Sequence, residues 1–132
     1  WPRDPGEYTA FAAAVRSERA IDLTAPPLAS DRSAWTHVTD YAACQDLADA
    51  SCEADVEIIR YESIRDPDHG RNVALLTCRV FEKPRPARRQ TWRIRLSPSG
   101  VQAICEFPDI RIEFDRSAFA ADPRIAAFSW DR

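Results

Sequence analysis

The chain has 132 residues, of which 45% are hydrophobic and 30% charged, and its formal net charge is −3. That length fits a single domain that buries roughly two thirds of its unfolded surface. No window holds the roughly 18 apolar residues of a membrane-spanning helix, and a negative net charge gives no general attraction to nucleic-acid phosphates. The composition therefore argues against a membrane protein and against direct binding of nucleic acid.

The residue types that most often bind metals or form disulfides are few and scattered. They are Cys44, Cys52, Cys78, Cys105, His37 and His69. The cysteines contain no CxxC pair, which argues against a zinc site and against a thioredoxin-like redox motif. The histidines lack the cysteine or paired-carboxylate neighbours of a persuasive metal site. We therefore expect no bound metal, and reduced thiols in the cytoplasm.

The start of the chain bears on its origin. The sequence contains no Met and opens with Trp1-Pro2-Arg3. It also lacks a basic segment followed by an apolar core, so the opening is not a signal peptide. We expect a longer parent protein from which residues ahead of Trp1 have been removed.

In chain order, the first predicted element is a short amphipathic helix over residues 7–16. Tyr8, Phe11 and Val15 recur there at helical spacing. Residues 21–23, with the sequence Ile-Asp-Leu, predict a brief strand.

A second helix is predicted beyond a break in regular structure. The prolines of residues 25–27 interrupt the chain before a polar surface excursion. Asp40 is a good N-cap candidate, and Cys44 and Leu47 belong to one apolar face that repeats at three and four residues. The pattern predicts a helix over residues 41–53.

The centre of the chain predicts two strands joined by a turn. Residues 56–60 alternate and are β-branched, residues 73–76 form an apolar run, and residues 66–70 carry turn-favouring types. Ser63 therefore leaves a strand and enters a loop. A rigid strand end that holds a polar loop is a common way to fix functional groups.

The rest of the chain predicts an antiparallel meander. Residues 90–96, 101–107 and 110–114 alternate apolar and polar types, and turn sequences separate them. One helical turn is expected before Pro123. The fold class that follows is α+β, with a mixed or antiparallel sheet flanked by helices.

Polar side chains around the central turn are the best candidates for a binding site. Arg60, Arg65 and Arg71 cluster there and suit a bidentate grip on phosphate. Glu62 and Ser63 are adjacent, but strand neighbours point to opposite faces, so we expect them not to act together. The chain has three glycines and holds neither a Rossmann fingerprint nor a P-loop.

Aromatic side chains leave two interpretations open. The tryptophans are Trp1, Trp35, Trp92 and Trp130. Their indoles suit stacking on a base or nicotinamide ring, and equally suit packing in a core. Tyr41 and Tyr61 carry phenols that need a partner if buried and that could instead bind a ligand.

Five segments together carry a family resemblance. They are WT at 35–36, DYAACQDLA at 40–48, RYESIRD at 60–66, NVALL at 72–76 and QTW at 90–92. In this order they resemble the RES domain, a family named for its Arg, Glu and Ser. The likeness covers nearly the whole chain and is most specific between residues 35 and 81.

The resemblance implies a fold similar to that of ADP-ribosyltransferases and NAD as substrate, with no permanently bound cofactor. It also implies the toxin half of a bacterial toxin–antitoxin pair, which destroys NAD at the nicotinamide–ribose bond by hydrolysis or phosphorolysis. The implied partner is an Xre-like helix-turn-helix antitoxin. Two alternatives remain: a protein mono-ADP-ribosyltransferase of the same fold, and a non-catalytic interaction module that has lost its catalytic half.

Residue by residue, Ser63 matches the motif serine and is the expected catalytic residue. Tyr61, Arg65 and Asn72 fall in the surrounding pocket segment and are expected to bind substrate. The family's arginine and glutamate are expected ahead of Trp1. Residues 1–132 would then be the C-terminal portion of one RES domain, inactive alone, within an enzymatic parent. A sheet edge left unpaired by missing strands would favour a homodimer.

Overall fold

The computed structural model describes residues 4–127. Within them the strands are β1 (Gly6–Ala12), β2 (Ala20–Asp22), β3 (Ile58–Glu62), β4 (Arg71–Leu75), β5 (Arg88–Ser97), β6 (Gly100–Cys105) and β7 (Ile110–Asp115). The α-helices are α1 (Arg32–Trp35), α2 (Ala42–Glu53) and α3 (Pro123–Ala126). Short 3₁₀ turns cover Leu28–Asp31, Cys78–Val80 and Arg116–Phe119. The predicted α+β class is confirmed.

The chain divides into two compact units. One, here called the hairpin unit, is Val15–Glu82; the other, the meander unit, combines Trp1–Ala14 with Lys83–Arg132. The expectation that residues 1–132 form a single domain, itself part of a larger one, stays a prediction.

The hairpin unit contains a three-stranded mixed sheet in the order β2-β3-β4. β2 runs parallel to β3, and β3 pairs antiparallel with β4, with Ile59 opposite Ala74 and Tyr61 opposite Asn72. Ile59 is buried and belongs to the core of this unit. The predicted strand–turn–strand is confirmed, although β3 begins and ends two residues later than expected.

The predicted helix over residues 41–53 is confirmed as α2, which begins one residue later. The Asp40 carboxylate accepts a hydrogen bond of 3.0 Å from the Ala42 backbone N–H, as a residue near a helix start is expected to do. The surface excursion ahead of α2 contains the first 3₁₀ turn and α1.

The meander unit contains a four-stranded antiparallel sheet in the order β1-β5-β6-β7. Along β5, Trp92 and Ile94 are half-buried while Arg93 and Arg95 are exposed, as the alternating sequence predicts. Cys105 at the end of β6 is fully buried. The predicted meander of three strands is confirmed.

The predicted helix over residues 7–16 is wrong, because residues 6–12 form β1. This strand pairs along its whole length with β5, from Gly6 opposite Ile94 to Ala12 opposite Arg88. Every residue of β1 is exposed, so its apolar side chains form no buried stripe in the folded chain. An isolated helix of ten residues is marginal in water, and backbone pairing with a distant strand prevails.

Near the C-terminus, the predicted helical turn before Pro123 corresponds to the 3₁₀ turn Arg116–Phe119. A second short helix, α3, begins at Pro123 itself, since a proline at the first helical position lacks only an N–H that would be unpaired anyway. The Asp122 carboxylate caps α3 by accepting a 3.0 Å hydrogen bond from the Arg124 N–H. Trp1 and Trp130 lie outside the described residues.

All four cysteines are free thiols. Between residues 4 and 127, none of the helices has both the length and the apolar character needed to cross a bilayer.

Candidate functional site

The hairpin unit encloses a cavity of about 430 Å³, here called the hairpin cavity. Its size falls in the range of small-molecule sites. One face of β3 and β4 forms its floor, and α2 and the segment that precedes α2 form its walls. Most of the lining is apolar and includes the side chains of Leu47, Ile59 and Ala74.

The polar end of the hairpin cavity contains all four residues that the sequence singled out. Tyr61 lies two residues after Ile59 on the same face of β3, and Asn72 is its cross-strand partner on β4. Ser63 follows at the end of β3, and Arg65 comes from the loop beyond it. The structure brings these side chains together at one cavity, and their roles in binding and catalysis stay predictions.

Ser63 is positioned by the turn that joins β3 to β4. Its backbone N–H donates to the Gly70 carbonyl oxygen at 2.7 Å. Within the turn, the Asp66 carboxylate accepts hydrogen bonds from the N–H groups of Asp68 at 3.0 Å and Gly70 at 3.1 Å. The side chain of Asp66 thus organises the loop that carries Ser63, as aspartates commonly do in turns.

Arg65 reaches across the cavity mouth to the wall. Its Nη2 donates to the Tyr41 hydroxyl at 3.3 Å, and that hydroxyl donates to the Val38 carbonyl oxygen at 2.9 Å. The expected cluster of three arginines is not formed there, because Arg60 and Arg71 do not line the cavity. Strand alternation explains this: Arg60 follows Ile59 and faces the opposite side of the sheet, where it pairs with Asp22 at 3.4 Å.

Sequence reasoning missed an ionic cluster formed by Arg32, Glu62 and His69, here called the Glu62 cluster. The Arg32 guanidinium donates to both Glu62 carboxylate oxygens, at 2.7 Å and 2.5 Å. His69 Nδ1 lies 2.8 Å from Oε1 of Glu62. The hydrogen bonds from Arg32 lower the pKa of Glu62 below its usual value. Arg32 is 30 residues from Glu62, so no local spacing could have revealed the pair.

Glu62 and Ser63 both border the hairpin cavity. The expectation that their side chains face opposite sides and do not act together stays a prediction. The Glu62 carboxylate, however, is engaged by Arg32 and His69.

One of the described tryptophans contributes to the site. Trp35 lines the cavity, and its indole N–H donates to the Leu28 carbonyl oxygen at 2.8 Å. Trp92 belongs to β5 of the meander unit. In the part of the chain from residue 4 to 127, no group of three or more His, Cys, Asp or Glu side chains is arranged to hold a metal ion.

Comparison with known families identifies the family of the chain. The RES domain model matches residues 1–97, nearly three quarters of the chain. The chain belongs to the RES domain family. RES domains form a family of toxins from toxin–antitoxin pairs. No curated protein sequence matches the chain. The relation of this RES domain to the ADP-ribosyltransferase fold stays a prediction.

The lining of the hairpin cavity lies entirely within the stretch that matches the family, from Leu23 to Leu76. In this RES domain the cavity combines an apolar floor with hydroxyl, amide and guanidinium groups at one end. Such groups can donate hydrogen bonds and hold an anion, and their arrangement suits a ligand with both a flat apolar ring and a polar or charged portion.

Proposed function

We propose that this RES domain binds NAD in the hairpin cavity and takes part in breaking the bond between nicotinamide and ribose. The observation that carries the proposal is the convergence of Tyr61, Ser63, Arg65 and Asn72 on one mostly apolar cavity. The membership of the chain in a toxin family supports the same proposal.

Different groups of the cavity lining suit the aromatic ring, the hydroxyl groups and the pyrophosphate of NAD. The apolar floor and the Trp35 indole suit a flat aromatic ring. The hydroxyl of Ser63 and the amide of Asn72 suit the carboxamide and ribose hydroxyl groups, which both donate and accept hydrogen bonds. Arg65 suits the pyrophosphate, whose oxygens match the donor fork of a guanidinium.

In the proposed hydrolysis, an oxygen of water bonds to C1′ of the ribose while the bond from C1′ to the nicotinamide nitrogen breaks. Nicotinamide leaves with the bonding electron pair, and the water loses one proton, so the products are nicotinamide, ADP-ribose and a proton. In phosphorolysis, a phosphate oxygen bonds to C1′ instead. Ser63 orients the substrate by hydrogen bonding; with no base assigned beside it, we do not assign it the role of nucleophile.

Both reactions build positive charge on the ribose, which a preorganised carboxylate stabilises. Of the family's motif residues, the resemblance assigns Ser63 to this chain and leaves the arginine and the glutamate unassigned. We propose that the protein is an enzyme and that its activity requires those two charged groups in addition to Ser63. We further propose an Xre-like antitoxin as the partner that covers the cavity.

The test is to incubate the protein, as encoded in its genome, with NAD and to follow nicotinamide release with and without phosphate. Release in either condition is the expected result. NAD labelled in the adenosine part separates the chemistries, because hydrolysis and phosphorolysis leave the label on a small molecule.

Label that becomes attached to protein would instead establish a mono-ADP-ribosyltransferase. NAD binding without any cleavage would leave a non-catalytic binding module. Failure to bind NAD at millimolar concentration would overturn the proposal.

A further inference from the structure

Glu62 joins three segments that are distant in the sequence. Its own strand, β3, ends there; Arg32 belongs to α1; and His69 belongs to the turn between β3 and β4. The Glu62 side chain is 15% exposed, whereas Arg32 and His69 are 59% and 63% exposed. The carboxylate is therefore the shielded centre of the Glu62 cluster, and its two partners approach it from the solvent side.

Arg32 is part of the 24–41 segment, which forms one wall of the hairpin cavity. Trp35, His37 and Tyr41 are the residues of this segment that line the cavity. α1, at the centre of the segment, is only four residues long, too short to be stable by itself. The position of the wall must therefore be fixed by side-chain contacts with the rest of the hairpin unit.

The contact from Arg32 to Glu62 is the strongest candidate for that role. It is bidentate, with both carboxylate oxygens engaged, which restrains orientation as well as distance. The contact from Arg65 to the Tyr41 hydroxyl is longer, at 3.3 Å. Breaking the Arg32 contact should therefore release the middle of the 24–41 segment.

His69 gives a second indication that the Glu62 cluster is under constraint. Its backbone φ is 52°, in the left-handed region that residues other than glycine seldom adopt. Such conformations persist where surrounding contacts fix them, and they are common at functional sites. Here the turn hydrogen bond from the His69 N–H to the Asp66 carbonyl, at 2.9 Å, and the contact with Glu62 hold the residue.

We propose that Glu62 is a positioning residue which, through Arg32 and His69, holds the 24–41 segment against the hairpin in the arrangement that receives NAD. This inference rests on the proposed function. Glu62 acts through its two partners and does not touch the bond that breaks. It assembles the wall before the ligand arrives, so that binding need not order the wall.

The expected kinetic effect follows from the population of the assembled state. If the wall is assembled in about one tenth of molecules once the cluster is broken, the apparent affinity for NAD falls about tenfold. The bound complex has the same structure in both cases, so kcat should change less than about threefold. A general loss of folded protein would instead lower the measured rate at every NAD concentration and leave KM unchanged.

The first experiment measures backbone amide hydrogen exchange in the full-length protein without NAD. Glu62→Gln and Arg32→Gln break the same pair from its two ends, and both should accelerate exchange in residues 24–41 at least about fivefold, with Arg32→Lys intermediate because it keeps the charge and loses the fork. The matched control is Glu106→Gln, which breaks the 2.9 Å pair of Arg93 and Glu106 in the meander unit. It should leave exchange in residues 24–41 unchanged.

The second experiment measures KM and kcat for NAD with the same variants. A KM raised about tenfold for both glutamine variants, with kcat nearly constant, supports the positioning role. Unchanged exchange in residues 24–41 would overturn the inference outright. Faster exchange with an unaltered KM would also overturn it, since the wall would then move without consequence for NAD. If the wild-type protein neither binds nor cleaves NAD, the proposed function fails, and the exchange result still decides whether Glu62 holds the wall.

Discussion

The hairpin unit and the meander unit both contain antiparallel strands, but they differ in how those strands end. In the meander unit, β5 and β6 are joined by a tight turn and stay paired to their last residues, with Ser97 opposite Gly100. In the hairpin unit, β3 ends at Glu62 and continues into a loop that carries Ser63 and Arg65 to a cavity. Regular strand pairing forms the sheet, and the loop that follows the end of β3 provides the groups that can bind a ligand.

The charged side chains of the two units differ in the same way. Arg93 and Glu106 of the meander unit are both more than half exposed, and such surface pairs contribute little to stability. Glu62 of the hairpin unit is mostly shielded and binds two partners from separate segments. A charge at the edge of a cavity can thus determine local geometry, whereas a similar pair on an open sheet mainly keeps the surface solvated.

The largest effect on activity should come from the Ser63 hydroxyl. Ser63→Ala is expected to lower kcat/KM for NAD about a hundredfold, the usual loss when one preorganised hydrogen-bonding group is removed. Nicotinamide release by the full-length protein measures it. Ser99→Ala, in the turn of the meander unit, is the control and should change kcat/KM less than twofold. A fully active Ser63→Ala protein would show that the strand end has no part in the reaction.

The largest effect on stability should come from Gly100 in the meander unit. Its φ is +151°, and a Cβ there would collide with the Phe114 carbonyl oxygen. Gly100→Ala should therefore lower the free energy of unfolding by about 2 kcal/mol, measured by urea denaturation.

The matched control is Gly6→Ala, where an added methyl group would meet only the movable ring of Tyr8. Its unfolding free energy should stay close to the wild-type value. Well below the unfolding temperature, NAD cleavage by the Gly100→Ala protein should also stay near wild type. Equal stability of the two variants would contradict the strain argued for Gly100.

A smaller effect is expected at Asn72. Its side chain is exposed at the polar end of the cavity, opposite Tyr61. Asn72→Ala should raise KM for NAD about fivefold, because one hydrogen bond to ligand contributes about 1 kcal/mol. Steady-state kinetics measures it, with Gln102→Ala in the meander unit as control. A KM that rises equally in both variants would argue against a specific contact from Asn72.

The smallest effect concerns the dependence of stability on pH. The pKa of Glu62 is lower in the folded protein than in the unfolded chain, chiefly because Arg32 donates to it. Its carboxylate therefore stabilises the fold above the unfolded pKa, about 4.3, and this contribution is lost as the pH falls through the lower folded pKa.

Glu62→Gln should accordingly flatten the loss of stability between about pH 5 and pH 3. Urea denaturation at a series of pH values provides the measurement. Glu106→Gln, which removes the same formal charge from the meander unit, is the control. If the free energy of unfolding depended on pH in the same way for wild type and Glu62→Gln, the ion pair with Arg32 would not persist in solution.

Local sequence pattern was sufficient where structure depends on near neighbours. The alternation of Trp92, Ile94 and Leu96 predicted β5, and the spacing of Cys44 and Leu47 predicted α2, because side-chain periodicity decides which face is buried. It failed for residues 7–16, where the apolar spacing fitted a helix. The deciding factor there was the backbone of β5, about 80 residues away along the chain, which no local pattern contains.

The sequence by itself determined the α+β class, the turn between β3 and β4, and the position of Ser63 just past a strand end, since each depends on residue types a few positions apart. It also carried the motif that assigns the chain to the RES domain family. Only the tertiary structure decided that Arg65 lines the cavity while Arg60 and Arg71 do not, and that Arg32 binds Glu62. These outcomes depend on strand register and on the path of the 24–41 segment in space, and contacts between residues distant in sequence are fixed only when the whole unit has folded.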